Sequence, residues 1–218
     1  AFHGFTSLEK QSHDDKLQYR LGWMLLNGIG TEKNIHQARS YFEKAALVGN
    51  SFAAYQLGKL YLGGEGILKD ISEALRWLSI SAKQKNQFAE YALGCLYLKG
   101  EDVPKDVAKA ISYLKSAAIK GNEFAEYRLG KLYLTGEDVP KNVETALQYL
   151  TSSAKQGNQY AQYTLGKLYL MGKDILKDKE EALKWFTLSA AQGNIYAQFF
   201  LDHIDEFKEP SVMLAATR

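Results

Sequence analysis

The dipeptide Leu-Gly recurs at a fixed interval along the chain and constrains its fold more than any other feature. It occurs five times, each copy 36 residues after the one before, at Leu21-Gly22, Leu57-Gly58, Leu93-Gly94, Leu129-Gly130 and Leu165-Gly166. An invariant period of this size, without insertions, is typical of stacked repeat proteins rather than of single-core enzymes. The 218 residues are therefore predicted to form one elongated array of repeats.

The first half of each repeat has the pattern of an amphipathic helix, here called helix A. Ala53, Leu57 and Leu60 recur at the same positions of the following repeats and fall on one broad helical face. A glycine inside a helix costs about 1 kcal/mol against alanine. Because five repeats tolerate it, a close backbone-to-backbone contact is predicted at Gly22, Gly58, Gly94, Gly130 and Gly166.

The second half of each repeat is predicted to be another helix, here called helix B. Helix A ends at a glycine such as Gly64, and helix B begins at an N-cap residue such as Asp70. Helix B carries an alanine with a large aromatic residue three positions later, a pattern that predicts interlocking helices. The signature alanines are Ala38, Ala74, Ala110, Ala146 and Ala182.

The end of each repeat is marked by Gly-Asn, with one exception. Gly49-Asn50 and Gly157-Asn158 follow the rule, whereas the second repeat ends in Lys85-Asn86. Local strain is expected at this lysine if its backbone is left-handed, because that conformation favours glycine.

The combined pattern resembles a known repeat family. It reads small-x-x-x-LG-x-LY, then G-x-D-V-P-K-D, then A-x-x-Y-L-x-x-A-A-x-x-G-N, and is similar to the Sel1-like repeat, a relative of the tetratricopeptide repeat. The resemblance covers residues 14–208. It implies an all-α fold, a right-handed αα-superhelix (solenoid) of about five repeats with terminal half-repeats. It also implies a bacterial-type adaptor scaffold and supplies no catalytic residues.

Three segments are expected along the chain. Residues 1–13 do not match helix B and are predicted to cover the first helix A through Phe2, Phe5 and Leu8. The predicted repeats span 14–49, 50–85, 86–121, 122–157 and 158–193, with a last helix A at 194–208. Residues 209–218 are predicted to begin a further, truncated segment.

The positions of helix A that vary between repeats predict a binding groove, because A helices line the concave side of an αα-solenoid. These positions carry basic and aromatic side chains and no Asp or Glu in any repeat. The predicted partner-binding residues are Tyr19, Arg20, Trp23, Tyr55, Lys59, Tyr91, Cys95, Lys99, Tyr127, Arg128, Lys131, Tyr163 and Lys167. The tyrosine rings are expected to pack and their hydroxyls to face the groove.

Two features of this groove have a simpler interpretation. The aromatic residues that begin each helix A, at positions 52, 88, 124 and 160, are expected to pack on the preceding helix B. The basic stripe would also fit an ordinary solvated face. Because a random surface of this composition would include acids, we favour a groove selective for an extended acidic or carboxylate-bearing ligand.

Catalytic chemistry is not expected. The histidines, His3, His13, His36 and His203, have no ligand spacing between them, and the recurring Asp102, Asp138 and Asp174 are expected to form turns. The glycines are single and widely spaced, which excludes a Gly-rich phosphate loop. The sequence predicts no enzyme, no cofactor and no metal site.

The net charge and the single cysteine restrict the possible functions and compartments only weakly. The formal net charge of +2 neither demands nor excludes nucleic acid. No apolar run is long enough to span a membrane. Cys95 is the only cysteine, which excludes an intrachain disulfide and favours a reducing, cytoplasmic compartment.

Three functions compete at this stage. The first is a protein-interaction adaptor that holds an acidic peptide or a partner helix in the groove. The second is an accessory region that contacts nucleic acid by aromatic stacking beside a basic track, since the repeats also resemble C-terminal regions of relaxases from Gram-positive mobile elements. The third is a spacer or self-association module without a ligand.

Overall fold

The computed structural model describes residues 2, 4–6 and 14–206, and no strand occurs within them. From residue 14 onward these residues form eleven α-helices. Odd-numbered helices are the predicted A helices and even-numbered ones the B helices. They are α1 Asp15–Asn27, α2 Ile35–Leu47, α3 Ser51–Gly63, α4 Ile71–Lys83, α5 Gln87–Lys99, α6 Val107–Ile119, α7 Glu123–Thr135, α8 Val143–Lys155, α9 Gln159–Met171, α10 Lys179–Ala190 and α11 Ile195–Asp202.

The helices group into two compact units, Ala1–Asn122 and Glu123–Arg218. In the first unit α1 packs on α2, α3 on α4 and α5 on α6, while α2 also contacts α3 and α4 contacts α5. In the second unit α7 packs on α8 and α9 on α10, while α8 contacts α9 and α10 contacts α11. The predicted all-α fold of repeated helix pairs is confirmed.

The ends of the helices are set by the residues that the sequence marks. The Asn34 and Asp70 side chains each accept a hydrogen bond at 3.0 Å from a backbone N–H three residues later, which satisfies an otherwise unpaired helix donor. Gly64 and Gly100 follow the A helices with φ of 67° and 71°, the left-handed conformation that glycine adopts without steric cost.

Helices A and B of one repeat approach most closely at the signature glycine. A Cβ atom on Gly58 would lie 2.5 Å from Leu78 Cγ and 3.3 Å from the Ala74 carbonyl oxygen. At Gly94 the corresponding distances are 2.7 Å to Leu114 Cγ and 3.2 Å to the Ala110 carbonyl oxygen. The nearest atoms are thus side-chain carbons of helix B, with a backbone carbonyl next, where a purely backbone contact was expected.

Ion pairs join the connector between helices A and B of one repeat to the same connector of the next repeat. Lys69 Nζ donates to Asp102 Oδ1 at 2.6 Å, and Lys141 Nζ donates to Asp174 Oδ1 at 2.5 Å. In each pair the lysine belongs to one repeat and the aspartate to the next. Asp102 and Asp174 therefore link successive repeats, which is more than the turn-forming role expected of them.

Near the N-terminus, two aromatic side chains lie against the first repeat. Phe2 packs on the core that contains Leu25 and Phe42. The guanidinium carbon of Arg20 lies 5.4 Å from the centre of the Phe5 ring. The expected contribution of Leu8 falls outside the described residues, as do His3, His13 and the predicted segment at 209–218.

The buried alanines of helix B should not accept larger side chains. Ala110 has no exposed surface, and its carbonyl lies beside Gly94. Ala110→Leu is expected to lower the free energy of unfolding by about 1–3 kcal/mol through overpacking, measured by chemical denaturation. Ala108→Leu on the exposed side of α6 is the control, and equal stability of the two variants would contradict the assigned packing.

Lys85 carries the strain that the sequence predicted at this position. Its φ is 62°, and it is the one positive-φ residue other than glycine within the described chain. A left-handed non-glycine residue costs about 1–2 kcal/mol, so Lys85→Gly should stabilise the protein by about 0.5–1 kcal/mol after the flexibility cost of glycine is deducted. The converse change, Gly157→Lys at φ 105°, should destabilise it. Thermal or denaturant midpoints that move in the opposite directions would refute this interpretation.

Candidate functional site

The predicted tyrosine ladder is half-buried in the structure. The Tyr19 ring lies 5.8 Å from Phe42 of helix B and 6.2 Å from Phe52 of the next helix A, measured between ring centres. In the second unit Tyr163 lies 6.1 Å from Phe186 and 6.2 Å from Tyr196. The rings are therefore packed, as expected, and they connect neighbouring repeats within each unit.

The aromatic residues that begin the A helices belong to the same surface. Phe52, Phe88, Phe124 and Tyr160 remain between 38% and 51% exposed, so helix B does not bury them fully, and their packing on the preceding helix B stays a prediction. Phe88 lies 6.4 Å from Phe52 and 5.9 Å from Tyr55, and Tyr160 lies 6.0 Å from Tyr127. Within each unit, we define the A-helix face as these aromatics, the ladder tyrosines and the basic residues one turn further along each helix.

Basic side chains lie on this face beside the tyrosines. Lys59 Nζ lies 5.7 Å from the centre of the Tyr55 ring, and Lys167 Nζ lies 5.6 Å from the centre of the Tyr163 ring. A contact of this kind contributes about 0.5–1 kcal/mol at exposed sites. It also fixes where each ammonium group stands. Lys59, Lys131 and Lys167 have no ion pair with any acid of the described chain.

Other predicted residues are placed differently. Lys99 Nζ lies 2.5 Å from Glu101 Oε2, and the hydrogen bond and charge of that carboxylate raise the pKa of Lys99. Its charge is thus already compensated. Arg20 lies over Phe5, while Trp23 is 42% exposed. Arg128 is exposed, and Tyr91 and Cys95 are half-buried.

Two cavities occupy equivalent places on the A-helix face. In the first unit a cavity of about 370 Å³ lies between α1 and α3 and is lined by residues that include Lys33, Lys59 and Glu65. In the second unit a cavity of about 300 Å³ lies between α7 and α9. Its lining includes Tyr127, Lys131, Tyr163, Lys167 and Lys173.

The hydroxyls of two ladder tyrosines keep their protons more strongly than usual. Burial raises the pKa of Tyr55, with a smaller contribution from Tyr19. Burial also raises the pKa of Tyr163, with smaller contributions from Tyr196 and Tyr127. Both groups therefore stay neutral at physiological pH, where a phenolic O–H can donate a hydrogen bond to a carbonyl or carboxylate oxygen.

Sequence reasoning missed a set of buried polar contacts between helices A and B. Glu90, which is 5% exposed, accepts a hydrogen bond from Ser116 at 2.9 Å and pairs with Lys120. Glu126 accepts hydrogen bonds from Ser152 at 2.8 Å and from Gln156 at 2.6 Å. In the sequence, these contacts are marked by an acidic residue in helix A and a polar residue 30 positions later. These contacts lie inside the helix pair, away from the A-helix face, and join its two helices.

The described residues contain no group of His, Cys, Asp and Glu side chains that would hold a metal ion. His36 is exposed, and the His203 ring stacks on Phe199 at 4.4 Å between centres. No described helix combines the length and apolar character needed to cross a bilayer. The A-helix face is thus the feature with the clearest capacity for recognition.

A family model described as Sel1 repeat matches residues 16–50, 51–86, 87–122, 124–158 and 159–194. The matches follow one another through most of the described chain. A Sel1 repeat fold is typically a non-enzymatic scaffold. Among curated proteins no match was found.

Solved structures with similar folds come from bacteria. A Sel1 repeat protein from Oxalobacter formigenes is 33% identical with a TM-score of 0.86, over 91% of this chain and 82% of that one. A protective antigen present in uropathogenic Escherichia coli strains is 31% identical with a TM-score of 0.82, over 92% of this chain and 43% of that one. The present chain thus spans less than half the length of the antigen. An immunity protein from Pseudomonas aeruginosa is 25% identical with a TM-score of 0.60, over 88% of this chain and 74% of that one.

The raised pKa of Tyr55 predicts a change of stability at high pH. Since its pKa in the folded state lies above the ordinary value of 10.0, folding favours the neutral phenol. This contribution is complete below pH 10 and is lost as the pH rises through the pKa of the folded state. Tyr55→Phe should therefore make the loss of stability above pH 10 less steep than in the native protein. Tyr160→Phe, at a tyrosine that is 51% exposed, is the control. Identical slopes of unfolding free energy against pH for all three proteins would disprove the assignment.

Proposed function

The chain belongs to the Sel1 repeat family, and from this we propose that it is an adaptor that binds extended acidic segments of a partner protein on the A-helix face of each unit. Sel1 repeats generally serve in protein–protein interaction. The observation that supports the finer proposal is the composition of the face. It combines exposed aromatics with Lys59, Lys131 and Lys167, whose positions carry no acid in any repeat.

The chemistry of the face suits carboxylates on an extended chain. Each ammonium group would pair with an acidic side chain of the ligand, and charge complementarity of this kind raises the association rate and selects the partner. The neutral hydroxyls of Tyr55 and Tyr163 would donate hydrogen bonds to ligand carbonyl groups. Because the tyrosine rings are packed, little of their side-chain freedom is lost on binding.

The ring contacts of Tyr163 do not favour the alternative of nucleic-acid binding at this residue. Stacking of a base requires an open aromatic face. Tyr163 contacts Phe186, Tyr196 and Phe200, each with ring centres 6.0–6.2 Å away, and Lys167 lies over the same ring.

The proposal predicts that reversing one charge on the A-helix face of each unit weakens peptide binding. Lys59→Glu combined with Lys131→Glu should weaken binding of a fluorescent acidic peptide by about tenfold or more at low salt, since each change replaces an attraction by a repulsion. Fluorescence anisotropy provides the measurement. The matched control is Lys83→Glu combined with Lys155→Glu, because both of these lysines are exposed at the ends of B helices.

Equal affinity of the native protein and the A-helix variant would refute the proposed face. A single-stranded oligonucleotide serves as a second probe. Tight, strongly salt-dependent binding of that probe, with none of the peptide, would favour nucleic-acid contact instead. Binding of neither probe would favour the spacer interpretation.

A further inference from the structure

The two equivalent cavities on the A-helix face differ at the positions that decide what each can hold. Their walls correspond by whole repeats, so that Lys59 matches Lys167 and Leu60 matches Leu168. At the rim, however, Glu65 of the first unit is replaced by Lys173 in the second. The same position is also glutamate at Glu101 and Glu137. Only the cavity between α7 and α9 therefore has a lysine there.

This exchange leaves the second-unit cavity with an excess of positive charge. Lys131, Lys167 and Lys173 line it, and no acid of the described chain forms an ion pair with any of them. The carboxylate in its lining is Asp174, which already accepts a hydrogen bond from Lys141 at 2.5 Å. Three like charges around one opening repel one another, and an anion placed among them would relieve that repulsion.

The floor of the same cavity is apolar. Leu134 and Leu168 line it and are half-buried, and the side chain of Met171 stands at its edge with 50% of its surface exposed. Met171 occupies the position of Gly63 in the first-unit cavity and of Thr135 in the repeat before it. Methionine is polarizable and adapts to irregular apolar groups. The cavity thus offers contact to an apolar group as well as to an anion.

These observations point to one kind of occupant. We propose that the cavity between α7 and α9 is a specificity pocket for a large aliphatic side chain of the bound peptide, with at least two carboxylates on the neighbouring ligand residues. The inference rests on the proposed function, because it assigns a subsite to the same peptide. The volume of about 300 Å³ accepts one such side chain. The Tyr163 ring in its wall offers no open face to a nucleobase, since aromatic rings already surround it.

The test compares two peptides of equal length and charge, one with a single central leucine between glutamates and one with alanine in its place. Isothermal titration calorimetry should show about tenfold tighter binding of the leucine peptide to the native protein. Lys173→Glu restores the residue type of the other repeats and should weaken both peptides by about tenfold. Met171→Thr restores the residue type of position 135 and should weaken the leucine peptide alone. Lys155→Glu on helix α8 is the control for net charge.

A reciprocal variant tests whether the cavity itself is sufficient. Gly63→Met combined with Glu65→Lys transfers the two distinguishing side chains to the first unit. A Cβ atom on Gly63 meets no atom within 4 Å, so the larger side chain is accommodated. Added to Met171→Thr and Lys173→Glu, these two changes should restore the native preference for the leucine peptide over the alanine peptide.

The outcomes separate the pocket from the proposed function. Equal binding of the leucine and alanine peptides, with both lost in the variant that combines Lys59→Glu and Lys131→Glu, would retain the acidic-peptide face and refute the pocket. Binding of neither peptide would refute both. Displacement of the leucine peptide by an oligonucleotide of equal charge, with higher affinity, would also overturn the pocket, because an anion without an aliphatic group would then suffice.

Discussion

The contact on which the structure depends is the close approach of helices A and B at the signature glycine. A Cβ atom on Gly58 would clash with the Leu78 side chain, and the Ala74 carbonyl oxygen is the next closest group. Helix pairs that approach this closely leave no room for a larger residue on either side, because protein interiors are packed like crystals. The glycine, the alanine and the large apolar residue are therefore fixed together, and the same three recur in every repeat.

This packing separates the residues that build the scaffold from those that are free to vary. The core uses one side of helix A for contact with helix B, and the buried Glu90 and Glu126 strengthen the same contact through hydrogen bonds. The opposite side of helix A carries the lysines and the exposed aromatics. A change on that side alters recognition with little effect on folding, because surface substitutions outside caps and ion pairs usually change stability by less than about 0.5 kcal/mol.

The parts of the structure that follow from local sequence could be predicted. The helices, their caps and the strained Lys85 depend on residues close in the chain and on a period that repeats without error. The pairing of Lys99 with Glu101, two residues further along, depends on the conformation of the connector and not on a helical spacing, so a helical pattern does not reveal it. The link between Lys69 and Asp102 joins different repeats, so spacing within one repeat does not reveal it.

In the candidate site, too, some features could be predicted from the sequence and others could not. Spacing placed Lys59, Lys131 and Lys167 on one side of their helices, and the structure adds which of the basic residues are already paired. The exposure of Phe52 and Phe88 depends on how one helix A lies against the next, which a helical pattern alone does not determine. The exchange of Glu65 for Lys173 is visible in the sequence, yet it has no meaning until a cavity is found at that position. At physiological ionic strength a charge acts over about 8 Å, so Lys173 influences only a ligand group that enters this cavity. A single substitution in one of several similar repeats can therefore change which ligand group is bound at that repeat, while the packing of the repeat stays the same.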